Sequence, residues 1–209
     1  MRTGGEGYGG VSLLLIDKGT PGFSVGRNLK KMGWWASDTA QLFFDNVRVP
    51  VDNLIGPENK GFIGIMLNFN QERLGMSAGA WGYAKVCLDE AIAYARERHT
   101  FGKPLIANQV VRHRLVDMAM RINAVQSTLE LLAYRVGQGE KPVAEICMLK
   151  NLATSTMEYC ANEAMQIFGG AGYLRGAKVE RIYRETKVMS IGGGSVEIMK
   201  DLAARQMGL

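Results

Sequence analysis

A glutamate within an apolar stripe of a predicted helix carries the first group in this sequence that could do chemistry. Ile65, Phe69, Glu72 and Met76 are spaced i, i+4, i+7 and i+11, so they share one helical face. Glutamate is seldom fully buried unless it is paired. The spacing leaves two interpretations open: an ion pair or an opening of the stripe to solvent, or a carboxylate that lines a pocket. In a pocket, apolar surroundings would raise the pKa of Glu72 above its usual value of about 4.3, and such a carboxylate suits proton removal from carbon.

Three consecutive glycines followed by a serine could bind a ligand through the backbone. Gly192, Gly193 and Gly194 allow close approach, and Ser195 is a favourable N-cap for a helix that follows it. Free N–H groups at such a helix start could bind a phosphate or a polarised carbonyl oxygen, and the alternative is a plain capped turn. A second glycine-rich loop, 166–173, indicates by itself only a helix end and a tight turn.

Three long segments with helical periodicity position these groups. Their stripe residues recur at steps of three and four: Phe62, Met66, Phe69, Arg73, Met76, Ala80, Tyr83 and Cys87 in the first; Val111, Leu115, Met118, Ile122, Val125, Leu129, Leu132 and Val136 in the second; Ile146, Leu149, Ala153, Thr156, Cys160, Ala164 and Ile167 in the third. Stripes of this kind are buried when long antiparallel helices pack as a bundle. Two shorter helices are predicted at about 177–190 and 196–208.

The first fifty residues have a different pattern, which is typical of β-structure. Residues 11–16 form a short apolar run, and residues 39–49 form a second strand-like stretch that ends before Pro50. Two or three strands do not make a stable sheet alone, so we expect the end of an incomplete β-domain. The predicted fold is therefore mainly α: a remnant of a β-domain over 1–56, followed by an antiparallel four-helix-type bundle over 57–209.

Composition narrows the classes of function. The 209 residues are 47% apolar and 22% charged, without an apolar run long enough to span a bilayer, so we expect a soluble globular chain. Three widely spaced cysteines and two histidines give no metal-binding pattern. The net charge of +5 is spread along the chain, which argues against nucleic-acid binding. It fits either a solvated surface or a substrate that carries phosphates.

Taken together, several segments resemble the acyl-CoA dehydrogenase family. They are Lys31-Met32-Gly33-Trp34, 43–50 (Phe-Phe-Asp-Asn-Val-Arg-Val-Pro), 98–103 (Arg-His-Thr-Phe-Gly-Lys), Gln109, the loop 166–173, and Tyr183-Arg184 leading into 192–195. Members of the family have an N-terminal helical domain, a middle β-domain and a C-terminal four-helix bundle. The resemblance covers the end of the second part and the whole of the third. We therefore expect this chain to be part of a longer enzyme.

The resemblance implies FAD, bound partly across a subunit interface. By motif, Arg98, Thr100 and Phe101 would contact the flavin nucleotide of a neighbouring subunit, with Gln109 near its adenine end. An arginine supplies charge-assisted hydrogen bonds to phosphate. The alternative for Arg98 is an ordinary surface cation, because charged or titratable residues flank it.

The same resemblance implies further contacts with FAD. Gln166 and Gly170 would lie along the pyrophosphate, and Ser195 and Glu197 would contact the FAD of their own subunit. Glycine permits the backbone to approach the cofactor closely.

The chain departs from the commonest family pattern at Gly193, where many members have the catalytic glutamate. A minority, similar to long-chain and isovaleryl-CoA dehydrogenases, carry the base on the first bundle helix, at the position of Glu72. The resemblance therefore implies that Glu72 removes the α-proton of an acyl-CoA while the β-hydrogen leaves as hydride. The backbone N–H of Gly193 would polarise the thioester oxygen. Arg73 and Asn70 would bind the substrate, and the alternative for Arg73 is an ion pair with another charge in the bundle.

Partners and compartment also follow from the resemblance. They are an acyl-CoA substrate in fatty acid β-oxidation, an electron-transferring flavoprotein, and other copies of the chain in a homotetramer built through the bundle. The expected location is the bacterial cytoplasm, or the mitochondrial matrix in a eukaryote. Two alternatives remain: an acyl-CoA oxidase-like flavoprotein that uses oxygen, and a catalytically incomplete helical oligomerisation module.

Overall fold

The computed structural model describes residues 1–209, and most of them are helical. The five α-helices are α1 (Gly61–Glu97), α2 (Gln109–Gly137), α3 (Val143–Phe168), α4 (Lys178–Ile191) and α5 (Val196–Met207). Six short strands pair into three two-stranded antiparallel sheets. These elements confirm the predicted mainly helical class. No helix in the chain is both long enough and apolar enough to cross a lipid bilayer.

The chain divides into two compact units, residues 1–69 and 70–209. The division falls within α1, because the first turns of this helix pack on the strand region; Phe62, for example, stacks on Tyr8 with ring centroids 4.3 Å apart. A sequence reading places a boundary where the helical period begins, near residue 57, and that boundary stays a prediction.

The first unit holds four of the strands: β1 (Leu13–Leu14), β2 (Phe23–Asn28), β3 (Ala40–Phe44) and β4 (Leu54–Ile55). β1 pairs with β4 and β2 pairs with β3. Both predicted strands are shorter than their apolar runs, since Val11 makes only isolated bridges and the backbone turns to a positive φ at Asn46. β2 carries no strong strand signal in its sequence, and cross-strand stacking of Phe23 on Phe44 supports it.

The second unit contains the helical core, whose apolar stripes are buried largely as predicted. α2 buries six of its eight stripe residues: Val111, Leu115, Met118, Ile122, Val125 and Leu132. α3 lies at the centre and packs against α2, α4 and α5. It also buries the most residues, because neighbours cover it on several sides.

The buried face of α1 in this unit is built from small residues. Ala80, Ala84, Cys87, Ala91 and Ala95 are fully buried and recur at steps of three and four. Short side chains allow the backbones of neighbouring helices to approach closely. After α1, the short hairpin of β5 (His99–Thr100) and β6 (Lys103–Pro104) leads to α2.

Candidate functional site

The glycine-rich connection between α4 and α5, residues 192–195, lies against α1. Gly193 and Gly194 have φ values of 67° and 112°, in the range that side chains rarely adopt. A Cβ atom at Gly193 would lie 2.7 Å from the Sδ atom of Met76. Glycine therefore adopts this conformation at position 193 without strain and without contact to Met76. A glutamate at that position would be strained and would have to displace Met76.

Arg73 ties the loop to α1. Its side chain is buried, with 4% of its surface exposed, and its Nε donates a hydrogen bond of 2.9 Å to the carbonyl oxygen of Gly193. Its Nη1 donates to Oδ1 of Asn70 at 3.2 Å. Arg73 and Asn70, both predicted to orient substrate, thus contact each other. One of them holds the glycine loop directly.

Glu72 is exposed in this chain. This corrects the interpretation in which apolar residues of the chain enclose its carboxylate. The buried stripe of α1 runs through Arg73, Ser77 and Ala80, one residue round the helix from Glu72. The expected apolar enclosure of this carboxylate is therefore not supplied by residues 1–209. The side chain belongs to the turn that Arg73 fixes against Gly193, and its role as base stays a prediction.

Lys150 on α3 is a participant that sequence reasoning missed. It is fully buried, and its Nζ donates to the carbonyl oxygens of Ser190 at 3.2 Å and Gly194 at 2.8 Å. Burial lowers the pKa of Lys150, and the nearby Arg73 charge lowers it further. The signal was available, because a lysine four residues after Ile146 and three before Ala153 falls on the apolar side of α3.

A separate cleft of about 440 Å³ opens where α1 ends and α3 ends. Its lining residues are Tyr94, Arg98, Thr100, Leu105, Ile167, Phe168, Gly169, Gly170 and Ala171. The cleft brings together Arg98 and Thr100 with Gly170, residues from two predicted cofactor-binding motifs that are about 70 positions apart in sequence. Tyr94 and Phe168 stack with their ring centroids 4.2 Å apart and form its apolar wall.

Five predicted cofactor-binding residues do not line this cleft; two of them, Ser195 and Glu197, are at the start of α5. Phe101 occupies the tip of the β5–β6 hairpin with φ 52°, and its side chain is fully exposed. Gln109 is the exposed first residue of α2, and Gln166 is exposed in the last turn of α3. Their contacts with a cofactor stay predictions.

Ser195 caps α5 as predicted, with its Oγ accepting a long hydrogen bond of 3.5 Å from the N–H of Ile198. Glu197 lies in the first turn of α5. The backbone N–H of Glu197 and, after it, the Ser195 hydroxyl lower the pKa of the Glu197 carboxyl. The start of α5 is therefore an ordered cap beside the glycine loop.

The chemistry available at the two places differs. The cleft offers a guanidinium, a hydroxyl and a glycine backbone, which suit a phosphate anion. The glycine loop offers backbone groups held by Arg73 and Lys150, with a carboxylate, Glu72, on the adjoining turn of α1. The first place suits binding of a nucleotide, and the second suits proton transfer at a bound substrate.

Comparison with known proteins identifies relatives of this chain. The family model described as "Acyl-CoA dehydrogenase, C-terminal domain" matches residues 59–208. An acyl-CoA dehydrogenase of Bacillus subtilis is 38% identical over 202 residues, which are 97% of this chain and 53% of that protein. The chain thus spans about half the length of this curated relative.

Solved structures agree with that match. The crystal structure of a probable acyl-CoA dehydrogenase from Mycobacterium abscessus is 51% identical, with a TM-score of 0.97 over 99% of this chain and 55% of that one. An FAD complex of PigA is 29% identical, with a TM-score of 0.94 over 100% of this chain and 55% of that chain.

Proposed function

Because the chain belongs to the acyl-CoA dehydrogenase family, through the C-terminal domain of that family, we propose that the protein containing it oxidises acyl-CoA thioesters between the α and β carbons. One observation carries the proposal to particular residues: the loop that holds the catalytic glutamate in many members has glycine here, at a positive φ and with Met76 against the position that a Cβ would take. The base must then come from elsewhere, and Glu72 is on the turn of α1 that Arg73 joins to this loop.

The proposed base acts on the carbon next to the thioester carbonyl. Glu72 accepts the α-proton, and the electron pair and hydrogen of the β carbon leave as hydride. Arg73 cannot serve as base, because a guanidinium stays protonated. Its bond to Gly193 instead keeps the loop close to the carboxylate-bearing turn. Asn70, which accepts from Arg73, supports the same arrangement.

The residues present fit FAD as the cofactor that would accept the hydride. The cleft of about 440 Å³ is large enough for part of a dinucleotide, and Arg98 with the backbone at Gly170 can bind its phosphates. Phe101, whose side chain is fully exposed beside the cleft, is available to a second copy of the chain. A homotetramer in which these residues meet a neighbouring subunit's flavin is part of the proposal.

The glycine loop would bind the thioester oxygen. The backbone N–H of Gly193 donates to no acceptor within the chain. An N–H group fixed in place before the reaction stabilises the negative charge that develops on this oxygen when the α-proton leaves. Arg73 and Lys150 carry positive charge near the same loop, and this positive charge further stabilises the negative charge on the thioester oxygen.

The experiment is an anaerobic titration of the complete protein with a panel of acyl-CoA thioesters, followed by flavin bleaching. We expect bleaching by at least one thioester in the wild-type protein. In the Glu72→Gln variant the flavin should stay bound and bleaching should slow about 100-fold or more, as is usual for loss of a general base. The matched control is Glu158→Gln, an exposed glutamate on α3, which should bleach at the wild-type rate. Unchanged bleaching in Glu72→Gln would refute the assigned base.

Electrons would then pass from the reduced flavin to an electron-transferring flavoprotein, in the bacterial cytoplasm or, in a eukaryote, in the mitochondrial matrix. Rapid reoxidation of the bleached flavin by dioxygen alone would indicate an oxidase instead. The preferred acyl group follows from the panel.

A further inference from the structure

Lys150 is a cationic residue in the protein core, where loss of hydration destabilises a charge. None of the ion pairs in the structure includes it, and its side chain is fully buried on the central helix α3. A buried cation is tolerated only when dipoles or opposite charges compensate for lost hydration. An apolar side chain of similar length would fill the same space without that penalty. The lysine therefore does more than fill the core.

The compensation comes from two carbonyl groups on either side of the glycine loop. Ser190 is in the last turn of α4, where carbonyl oxygens lack helical partners and carry the negative end of the helix dipole. Gly194 lies at the other end of the loop, before α5. Lys150 thus joins both ends of the loop to α3, and the neighbouring Asn151 adds a bond of 3.0 Å to the carbonyl of Val196.

Two cations fix two consecutive peptide groups of the loop. Arg73 binds the carbonyl of Gly193 from α1, and Lys150 binds the carbonyl of Gly194 from α3. In a planar trans peptide the N–H of the next residue points opposite to the carbonyl. The N–H groups of Gly194 and Ser195 therefore point away from the two cations, and neither donates to an acceptor in the chain.

We propose that Lys150 is a positioning residue, which orients the peptide groups of the loop 190–195 so that their N–H groups face substrate and cofactor. The link to catalysis rests on the proposed function, whereas the link to loop order rests on the hydrogen bonds alone. Both glycines are in conformations with positive φ that are sparsely populated by other residues. Without Lys150 the loop loses the only side-chain donors at Ser190 and Gly194, and its peptide groups can rotate.

Amide hydrogen exchange in the complete protein tests the first link. In Lys150→Met we expect peptides covering 188–198 to exchange about tenfold faster or more, while peptides from α2 keep their wild-type rates. The matched control is Lys141→Met, an exposed lysine just before α3, which should leave both regions unchanged. Equal acceleration in α2 and in the loop would overturn the proposal, because it would show a general loss of core stability. Wild-type exchange in the loop would overturn it as well.

If Lys150→Met does not fold, Lys150→Gln provides the same test, since its amide keeps an N–H donor while removing the charge. We expect faster loop exchange in this variant, though less than tenfold, and wild-type exchange in α2. Loop exchange at the wild-type rate in this variant would also contradict the positioning role.

Kinetics separates this proposal from the proposed function. Lys150→Met should lower kcat about tenfold or more with a smaller change in KM, since a loop released at Ser190 and Gly194 also misplaces the N–H of Gly193 between them, which acts mainly as charge develops. A normal kcat with a disordered loop would overturn the catalytic link. Activity that survives Glu72→Gln would refute the assigned base, yet the exchange result for Lys150 would still stand.

Discussion

At the scale of single residues, the loop at 192–195 and the turn at 70–73 form one unit, because Arg73 and Gly193 are hydrogen-bonded across 120 positions of sequence. Their proximity explains how the functions of a side chain and a backbone can be divided between two elements. Gly193 contributes only its peptide group. The adjoining helical turn contributes the carboxylate of Glu72, according to our proposal.

The first prediction concerns the glycine itself. Gly193→Ala should destabilise the fold by about 2 kcal/mol, because alanine resists positive φ and its Cβ would press on Met76. Gly75→Ala is the matched control: this helical glycine has open space around its Cβ position, so the change should stabilise by about 0.5–1 kcal/mol. Urea unfolding of both variants measures the difference. Equal effects of the two substitutions would contradict the packing described for the loop.

A second prediction at this scale concerns Arg98 in the cleft. Arg98→Ala should weaken FAD binding by about tenfold or more, because it removes charge-assisted hydrogen bonds to phosphate. The matched control is Arg96→Ala. Arg96 is an exposed arginine in the last turn of α1, two residues before Arg98, and its loss should leave the affinity unchanged. Fluorescence titration of apoprotein with FAD gives both values. If both variants bind like the wild type, the cleft does not hold the cofactor's phosphates.

At the scale of elements, the small residues on the buried face of α1 determine how closely its neighbours pack. Ala91→Leu should cost about 1–3 kcal/mol of unfolding free energy, because Ala91 is fully buried and extra methylene groups overpack the core. Ala93→Leu, on the exposed face of the same helix, should change stability by about 0.5 kcal/mol or less. Thermal unfolding of the pair checks this. A tolerant Ala91 position would show that the core there is loosely packed.

Sequence periodicity predicted the helices well and their buried faces less evenly. The stripe of α2 is correct because bulky apolar residues mark its buried face without ambiguity. In α1 the predicted stripe includes Arg73, Ala80 and Cys87, which are buried, whereas Glu72 lies one residue round the helix from them and is exposed. Much of that face is alanine, which has little hydrophobic contrast. The short strands were overestimated or missed, because pairing across the sheet rather than local pattern decides where a ladder ends.

The cofactor and loop residues show a similar division. Motifs identified Arg98, Thr100 and Gly170, which the fold brings together in one cleft. The spacing of Lys150 from Ile146 and Ala153 places it on the apolar side of α3, but the sequence does not show its carbonyl partners on α4 and the loop, so its role was missed. Contacts between distant segments are not visible in local patterns.

At the scale of the whole molecule, the thiols give a measure of global stability. Burial raises the pKa values of both Cys87 and Cys160 to about 12, from 9.0 in an unfolded chain. The folded state therefore retains protons that the unfolded state loses. The resulting stabilisation is complete below pH 9 and is lost as pH rises from 9 towards 12.

This linkage gives the last stability prediction. Between pH 8 and pH 10 the unfolding free energy should fall by about 1 kcal/mol per thiol, beyond the change from other groups. The double variant Cys87→Ala/Cys160→Ala should show a correspondingly smaller fall. Denaturant midpoints at the two pH values measure it. The same slope in both proteins would mean that these thiols do not contribute.

The central claim for the whole molecule is that one carboxylate, Glu72, takes a proton from the carbon beside the thioester carbonyl. Exchange of that α-hydrogen with D₂O, measured by mass spectrometry under anaerobic conditions with an acyl-CoA that cannot lose a β-hydride, tests this step alone. We predict steady deuterium incorporation with the wild-type protein. In Glu72→Gln, which should still bind FAD, the rate of incorporation should be lower by about 100-fold or more. Incorporation by Glu72→Gln at the wild-type rate would contradict the account.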